Sequence, residues 1–193
     1  MNDVKAFWEQ DGFRNIKPTK KEFPEGFDPR EVLKKLIKGI RYKTIIDFGC
    51  GYGRLCKAFS PKKYIGTDIS DRAIEAARKR NPKYKFISYE KPVADIYLAY
   101  TVFLHLSNEQ LAGELKTIQT TYFIISEILG GEWSNHGKGK PPTYNRNDYS
   151  IMEEFGYALL REIKKPYERY IGTIIARNKN TDISFLLWKK NDE

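Results

Sequence analysis

Residues 44 to 54 read Thr-Ile-Ile-Asp-Phe-Gly-Cys-Gly-Tyr-Gly-Arg, and their types and spacing point to ligand binding. Gly49, Gly51 and Gly53 leave backbone N–H groups open to close approach, because no Cβ stands in the way. The apolar residues Ile45, Ile46 and Phe48 predict a short buried strand ahead of the bend. A helix expected over Leu55 to Phe59 would point its N-terminus at the same place and favour negative charge there, so a phosphate or a carboxylate would suit. Asp47 precedes the first glycine by two residues. A second short strand, Tyr64 to Asp68, ends in another acid 19 residues beyond Gly49. An acid at that distance reaches the vicinal hydroxyls of a ribose.

The spacing also excludes something. A dinucleotide fingerprint G-x-G-x-x-G, counted from Gly49 and Gly51, requires glycine where this chain has Arg54. The alternating glycines behind Asp47 instead resemble motif I of the class I S-adenosylmethionine-dependent methyltransferases. The resemblance covers about residues 44 to 190 and is strongest in the first two motifs. It implies an α/β fold: a doubly wound, mainly parallel seven-stranded sheet with helices on both faces and an antiparallel C-terminal hairpin. It implies S-adenosyl-L-methionine as cofactor, with Asp47 and the loop Gly49, Cys50, Gly51 and Gly53 around the methionine end. By the same resemblance Asp68 takes the ribose, Ile69 lies against the adenine, and Glu90, after a third strand Tyr84 to Ser88, stands near the adenine amino group. That third-strand region is where the resemblance weakens.

Candidates for the acceptor side follow the fourth strand, Asp95 to Tyr100. Ligands of doubly wound sheets bind beyond the carboxyl ends of the strands, so Tyr100 and Thr101 should face the transferring methyl. His105 is either a general base or a histidine tying its loop to the next helix, the structural role being preferred. That helix opens with the capping box Ser107-Asn108-Glu109-Gln110. Residues 130 to 147 form a long aperiodic segment after the fifth strand, Tyr122 to Ile128. It is read as an acceptor-binding loop through Trp133, Tyr144 and Arg146, with His136 as a further catalytic candidate beside Tyr100 and His105. Glu127 is a candidate base if the acceptor must lose a proton. The Asp/Asn-Pro-Pro-aromatic motif of amino-methylating nucleic-acid enzymes is missing after the fourth strand, as is the Pro-Cys of cytosine C5 enzymes. Pro141-Pro142-Thr143-Tyr144 follows the fifth strand and is not that motif.

These residues need a scaffold, and 193 residues with 40% hydrophobic content suit one domain, 1–193. Residues 1–43 are expected to form an arm and a helix, the arm a possible lid; residues 44–193 form the core, with the 130–147 loop over its active face. The helix starts at Asp28-Pro29, with Asp as cap and Pro at the first turn. A last helix is expected from Asn147-Asp148 to Phe155, then strands over 157–163, 169–176 and 183–188. No apolar run is long enough to span a membrane. Cys50 and Cys56 lack metal-site spacing, so no metal is expected and a cytoplasmic location is the default. The net charge of +9 lies wholly in residues 1–100, with 22 Lys and Arg against 13 Asp and Glu; residues 101–193 hold 12 of each. The expected function is methyl transfer, with a small-molecule acceptor preferred. The alternatives are an RNA or DNA acceptor drawn by the basic half, or a binding protein that keeps the cofactor pocket without turnover.

Overall fold

In the computed structural model, residues 2–9, 27–130, 143–166 and 182–191 are described. Seven strands form one sheet: β1 (Ile45–Phe48), β2 (Tyr64–Asp68), β3 (Lys85–Ser88), β4 (Ala94–Tyr100), β5 (Thr120–Ile128), β6 (Tyr157–Pro166) and β7 (Asp182–Lys190). Their order is β3-β2-β1-β4-β5-β7-β6. The first five pair in parallel, and β7 runs antiparallel between β5 and β6. The doubly wound, mainly parallel sheet and its antiparallel C-terminal pair are as the sequence implied. The expected strand over 169–176 lies outside the described residues.

The helices are α1 (Asn2–Phe7), α2 (Pro29–Leu36), α3 (Asp71–Arg80), α4 (Asn108–Thr117) and α5 (Ile151–Glu154). Asp28 caps α2 by accepting from the Arg30 amide at 2.9 Å. Val32, Leu33 and Leu36 of α2 and Ile74 and Ala77 of α3 pack on one sheet face, around Ile45, Ile96 and Leu98. Leu111 and Leu115 of α4 and Met152 of α5 cover the other, around Ile46, Tyr97 and Phe123. β1 and β4 are therefore buried from both sides, which is why they read as continuous apolar runs. Each fully buried Leu or Ile stabilises the fold by about 1.5–3 kcal/mol.

Two expected helices are corrected. Leu55 to Phe59 is not an α-helix but a single 3-10 turn, Cys56–Ala58. Gly53 turns the chain with φ +79° and Ser60-Pro61 follows Phe59, so too few residues remain to close an α-helical ladder. The last helix is one turn, Ile151–Glu154, with Asp148 accepting from the Ser150 amide at 3.0 Å just ahead of it.

The parallel order reverses between β1 and β4, because β2 lies to one side of β1 and β4 to the other. In doubly wound sheets such a reversal is where ligands bind, in the crevice outside the carboxyl ends of the strands. Among the described residues, no helix is long and apolar enough to cross a membrane.

Candidate active site

The bend after β1 is built from left-handed glycines. Gly49, Gly51 and Gly53 have φ of +72°, +54° and +79°, a region that L side chains rarely adopt. The amides of Gly49 and Cys50 donate to the Thr67 carbonyl at 2.8 and 3.0 Å, folding the bend over the end of β2. A Cβ at Gly49 would sit 2.5 Å from Val102 Cγ2, so the loops after β1 and β4 touch at a point with no room for a methyl group. Gly66, which sequence reasoning passed over, is a similar contact: its Cβ would meet Phe86 at 2.6 Å and Cys50 Sγ at 2.9 Å.

Asp68 closes the bend from β2. Its Oδ2 accepts from the Gly51 amide at 2.8 Å and its Oδ1 from the Ser70 amide at 2.9 Å. A carboxylate has about four acceptor positions, so these two bonds leave capacity for more. The residue is 8% exposed, and burial raises its pKa while both amides oppose that rise. Ile69 is half-buried beside it, and the Glu90 side chain is exposed while its amide donates to Thr67 Oγ1 at 3.2 Å.

Asp47 lies deeper. It is 1% exposed, and its Oδ2 accepts from the Tyr64 hydroxyl at 2.5 Å. Burial pushes its carboxyl up to about 7, against the hydrogen bond from Tyr64 and the charge of Arg54. Tyr64 was not singled out from sequence, since a tyrosine at a strand's start gives no sign of the acid it meets across the sheet. Cys50 is buried beneath the bend and its thiol is pushed up by burial and by Asp68. Arg54, the residue that breaks the dinucleotide fingerprint, extends from the bend toward β4. Its guanidinium lies 4.9 Å from the centre of the Tyr100 ring and donates to Thr101 Oγ1 at 3.2 Å.

On the β4 side Tyr100 ends the strand, and Thr101 has φ +55°. A β-branched residue in the left-handed region carries strain of about 1–3 kcal/mol, so neighbouring contacts must hold it there. The Thr101 amide donates to the Ser126 carbonyl at 2.9 Å. Oε1 of the fully buried Glu127 accepts from the amides of Val102 and Phe103 at 2.9 Å each and of Leu104 at 3.4 Å. Glu127 was read as a candidate base; here that oxygen is engaged by backbone. Arg146 donates to the carbonyls of Phe103 and Leu106 at 2.8 and 2.5 Å and to Asn108 Oδ1 at 3.2 Å. Tyr144 is 40% exposed, and its amide donates to the Leu104 carbonyl at 2.8 Å. Trp133 and His136 lie outside the described residues.

The N-terminal arm reaches this same edge. The Trp8 ring meets the His105 ring edge-on, with centroids 5.1 Å apart. Glu9 Oε1 accepts from the Asp71 amide at 2.6 Å, and the Glu9 carbonyl accepts from Arg72 at 2.9 Å. Phe27 packs instead toward the sheet, with its ring 6.3 Å from Phe185. Of the arm's aromatic residues, Phe13 and Phe23 lie outside the described residues. The structure thus brings Asp47, the glycine bend, Asp68, Arg54, Tyr100 and His105 to one edge of the sheet. Among the described residues, no group of three His, Cys, Asp or Glu could hold a metal ion.

This strand order and a glycine bend at the reversal define a class I, Rossmann-like methyltransferase architecture. Residues 41–104 match a family model described as a methyltransferase domain. Magnesium protoporphyrin IX methyltransferase from Synechocystis PCC 6803, crystallised with bound SAM, is similar at TM-score 0.69 and 14% identity, over 98% of this chain and 96% of that one. A SAM-dependent methyltransferase from Anabaena variabilis is similar at TM-score 0.66 and 18% identity, over 97% and 95%. The methyltransferase domain of bacterial CtHen1 gives 0.58 and 17%, over 85% and 97%. No curated protein sequence matches the chain.

Proposed function

We propose that this chain is an S-adenosylmethionine-dependent methyltransferase, and that the observation carrying the reading is the left-handed glycine bend closed on Asp68. The residues present fit the cofactor. Asp68 retains acceptor capacity for a pair of ribose hydroxyls, and Ile69 offers an apolar surface for an adenine, with Glu90 nearby for its amino group. The backbone of Gly49, Cys50, Gly51 and Gly53 would take the methionine end, with Asp47 beneath it. When bound, the sulfonium supplies an activated methyl group. The chain's own work is then to align an acceptor and exclude water. His105 stands on the side from which the acceptor would enter, with Tyr100 buried beneath Arg54 and with Trp8 and Glu9 at the margin.

A small-molecule acceptor is the preferred reading, because the arm narrows the edge where β2 and β4 end. The structurally similar Synechocystis protein is a magnesium protoporphyrin IX methyltransferase. Exposed Lys57, Lys62 and Lys63, with Lys34, Lys35 and Lys38 on and after α2, favour a second reading in which a nucleic acid is the acceptor. Retention of RNA or DNA in a gel at low salt supports that second reading, and its absence removes it. Two buried free thiols support a reducing, cytoplasmic setting.

The direct test is calorimetry with S-adenosylhomocysteine. The wild-type chain should bind it, and Asp68→Ala, with circular dichroism showing a retained fold, should not. Wild-type protein that takes up no heat overturns the reading.

A further inference from the structure

The loop after β4 is gripped twice, and by different chemistry. Its amides at Val102, Phe103 and Leu104 converge on one oxygen of Glu127, and its carbonyls at Phe103 and Leu106 converge on the Arg146 guanidinium. Phe103 is held at both its N–H and its C=O. The two side chains come from β5 and from the segment before α5, so neither grip follows from the loop's own sequence. Between them lies the 3-10 turn Phe103–His105, which ends in the histidine that meets Trp8.

We propose that Glu127 and Arg146 are positioning residues which hold Thr101 to His105 in their strained path and so set the acceptor side of the site. The proposal rests on the methyltransferase reading for its purpose, but the clamp itself is a property of the chain alone. Thr101 at φ +55° is not a conformation that a β-branched residue keeps unless its surroundings over-determine it. Five hydrogen bonds from two buried or half-buried side chains supply that constraint. A catalytic base would need a free oxygen at the crevice. Glu127 instead is 1% exposed, with Oε1 occupied by amides and Oε2 buried with no hydrogen-bond partner among the described residues. Burial lifts its carboxyl to about 8, with the three amides and the charge of Arg146 opposing the rise. Glutamine offers those amides a carbonyl oxygen in the same place.

The test uses the full chain and four variants, Glu127→Gln, Glu127→Ala, Arg146→Lys and Arg146→Ala. Hydrogen exchange is read at the Val102, Phe103 and Leu104 amides, and the His105 ring by NMR. The chain has only two histidines, so His136→Gln assigns the ring. Both alanine variants should speed exchange at those three amides at least tenfold and shift the His105 ring signals. Glu127→Gln should restore both to near wild type, and S-adenosylhomocysteine affinity should stay within threefold throughout. Unchanged exchange and an unmoved His105 ring in the alanine variants overturn the proposal. Acceleration spread evenly through β4 and β5 also overturns it, because that is simple loss of core. If Glu127→Ala does not fold, Arg146→Ala, cut at the surface end of the clamp, decides by the same two readouts. Failure of the wild-type chain to bind S-adenosylhomocysteine would sink the functional reading while leaving these readouts intact.

Discussion

Asp68 and Glu127 are the same kind of device in two settings. Each is a carboxyl group at the carboxyl end of a strand, and each ties down a loop by accepting from backbone amides. Asp68 uses both oxygens once and keeps 8% exposure; Glu127 gathers three amides on one oxygen and keeps 1%. The difference teaches that amide bonding by itself does not make a carboxylate a ligand-binding group. Residual exposure and spare acceptor capacity separate the one that can meet a cofactor from the one that only shapes a loop.

The largest effect should come from exchanging acid for amide at each place. Asp68→Asn should weaken S-adenosylhomocysteine binding by about 100-fold, since charge-assisted bonds to hydroxyls are the stronger kind, whereas Glu127→Gln should change it less than about threefold. Equal losses in calorimetry would break the comparison. Next comes the seam between the two loops. Gly49→Ala forces a methyl group against Val102 and a left-handed alanine, at about 2–4 kcal/mol, and should lower Tm by about 5–10 °C in a thermal melt. Tyr64→Phe should follow at about 1–2 kcal/mol, by leaving Asp47 buried without its donor, and should also move the Asp47 carboxyl higher in a carbon-detected NMR titration.

The remaining effect is a slope. Asp47, raised to about 7, and Glu127, raised to about 8, both hold protons in the folded chain that the unfolded chain releases near pH 4. Their contribution to stability is therefore complete below about pH 4 and declines as pH rises through about 7 and 8. The neighbours that face them, Tyr64, Arg54 and Asp68 for Asp47, and Arg146 and Tyr149 for Glu127, modify the midpoints. Tm measured from about pH 5 to about pH 9 should fall less steeply in Glu127→Gln than in wild type. Parallel curves would show that Glu127 is already ionised at neutral pH.

Much of the scaffold was legible because its signals are local. β1 and β2 have the limits expected from their apolar runs, and Ser107 and Gln110 form the capping box that their spacing announced. The glycine bend was legible for the same reason. What escaped was set by distance. The turn after the bend looked helical because Leu55, Cys56 and Phe59 are apolar, yet burial there needs only one 3-10 turn. Arg54 was noticed for breaking a fingerprint, but its place over Tyr100 depends on β1 and β4 being neighbours. An acid inside the apolar run of β5 signals that something unusual is present. It does not say whether three amides or a substrate waits across the sheet.

Cys50 and Cys56, the chain's two thiols, are both buried beneath the bend and the turn that follows it. An alkylating reagent can therefore reach sulfur only when this corner of the molecule opens. The native sequence thus carries its own clock for local opening. Mass spectrometry of timed labelling would read that clock without dye or engineered probe, and any compound that lodges in the crevice would slow it.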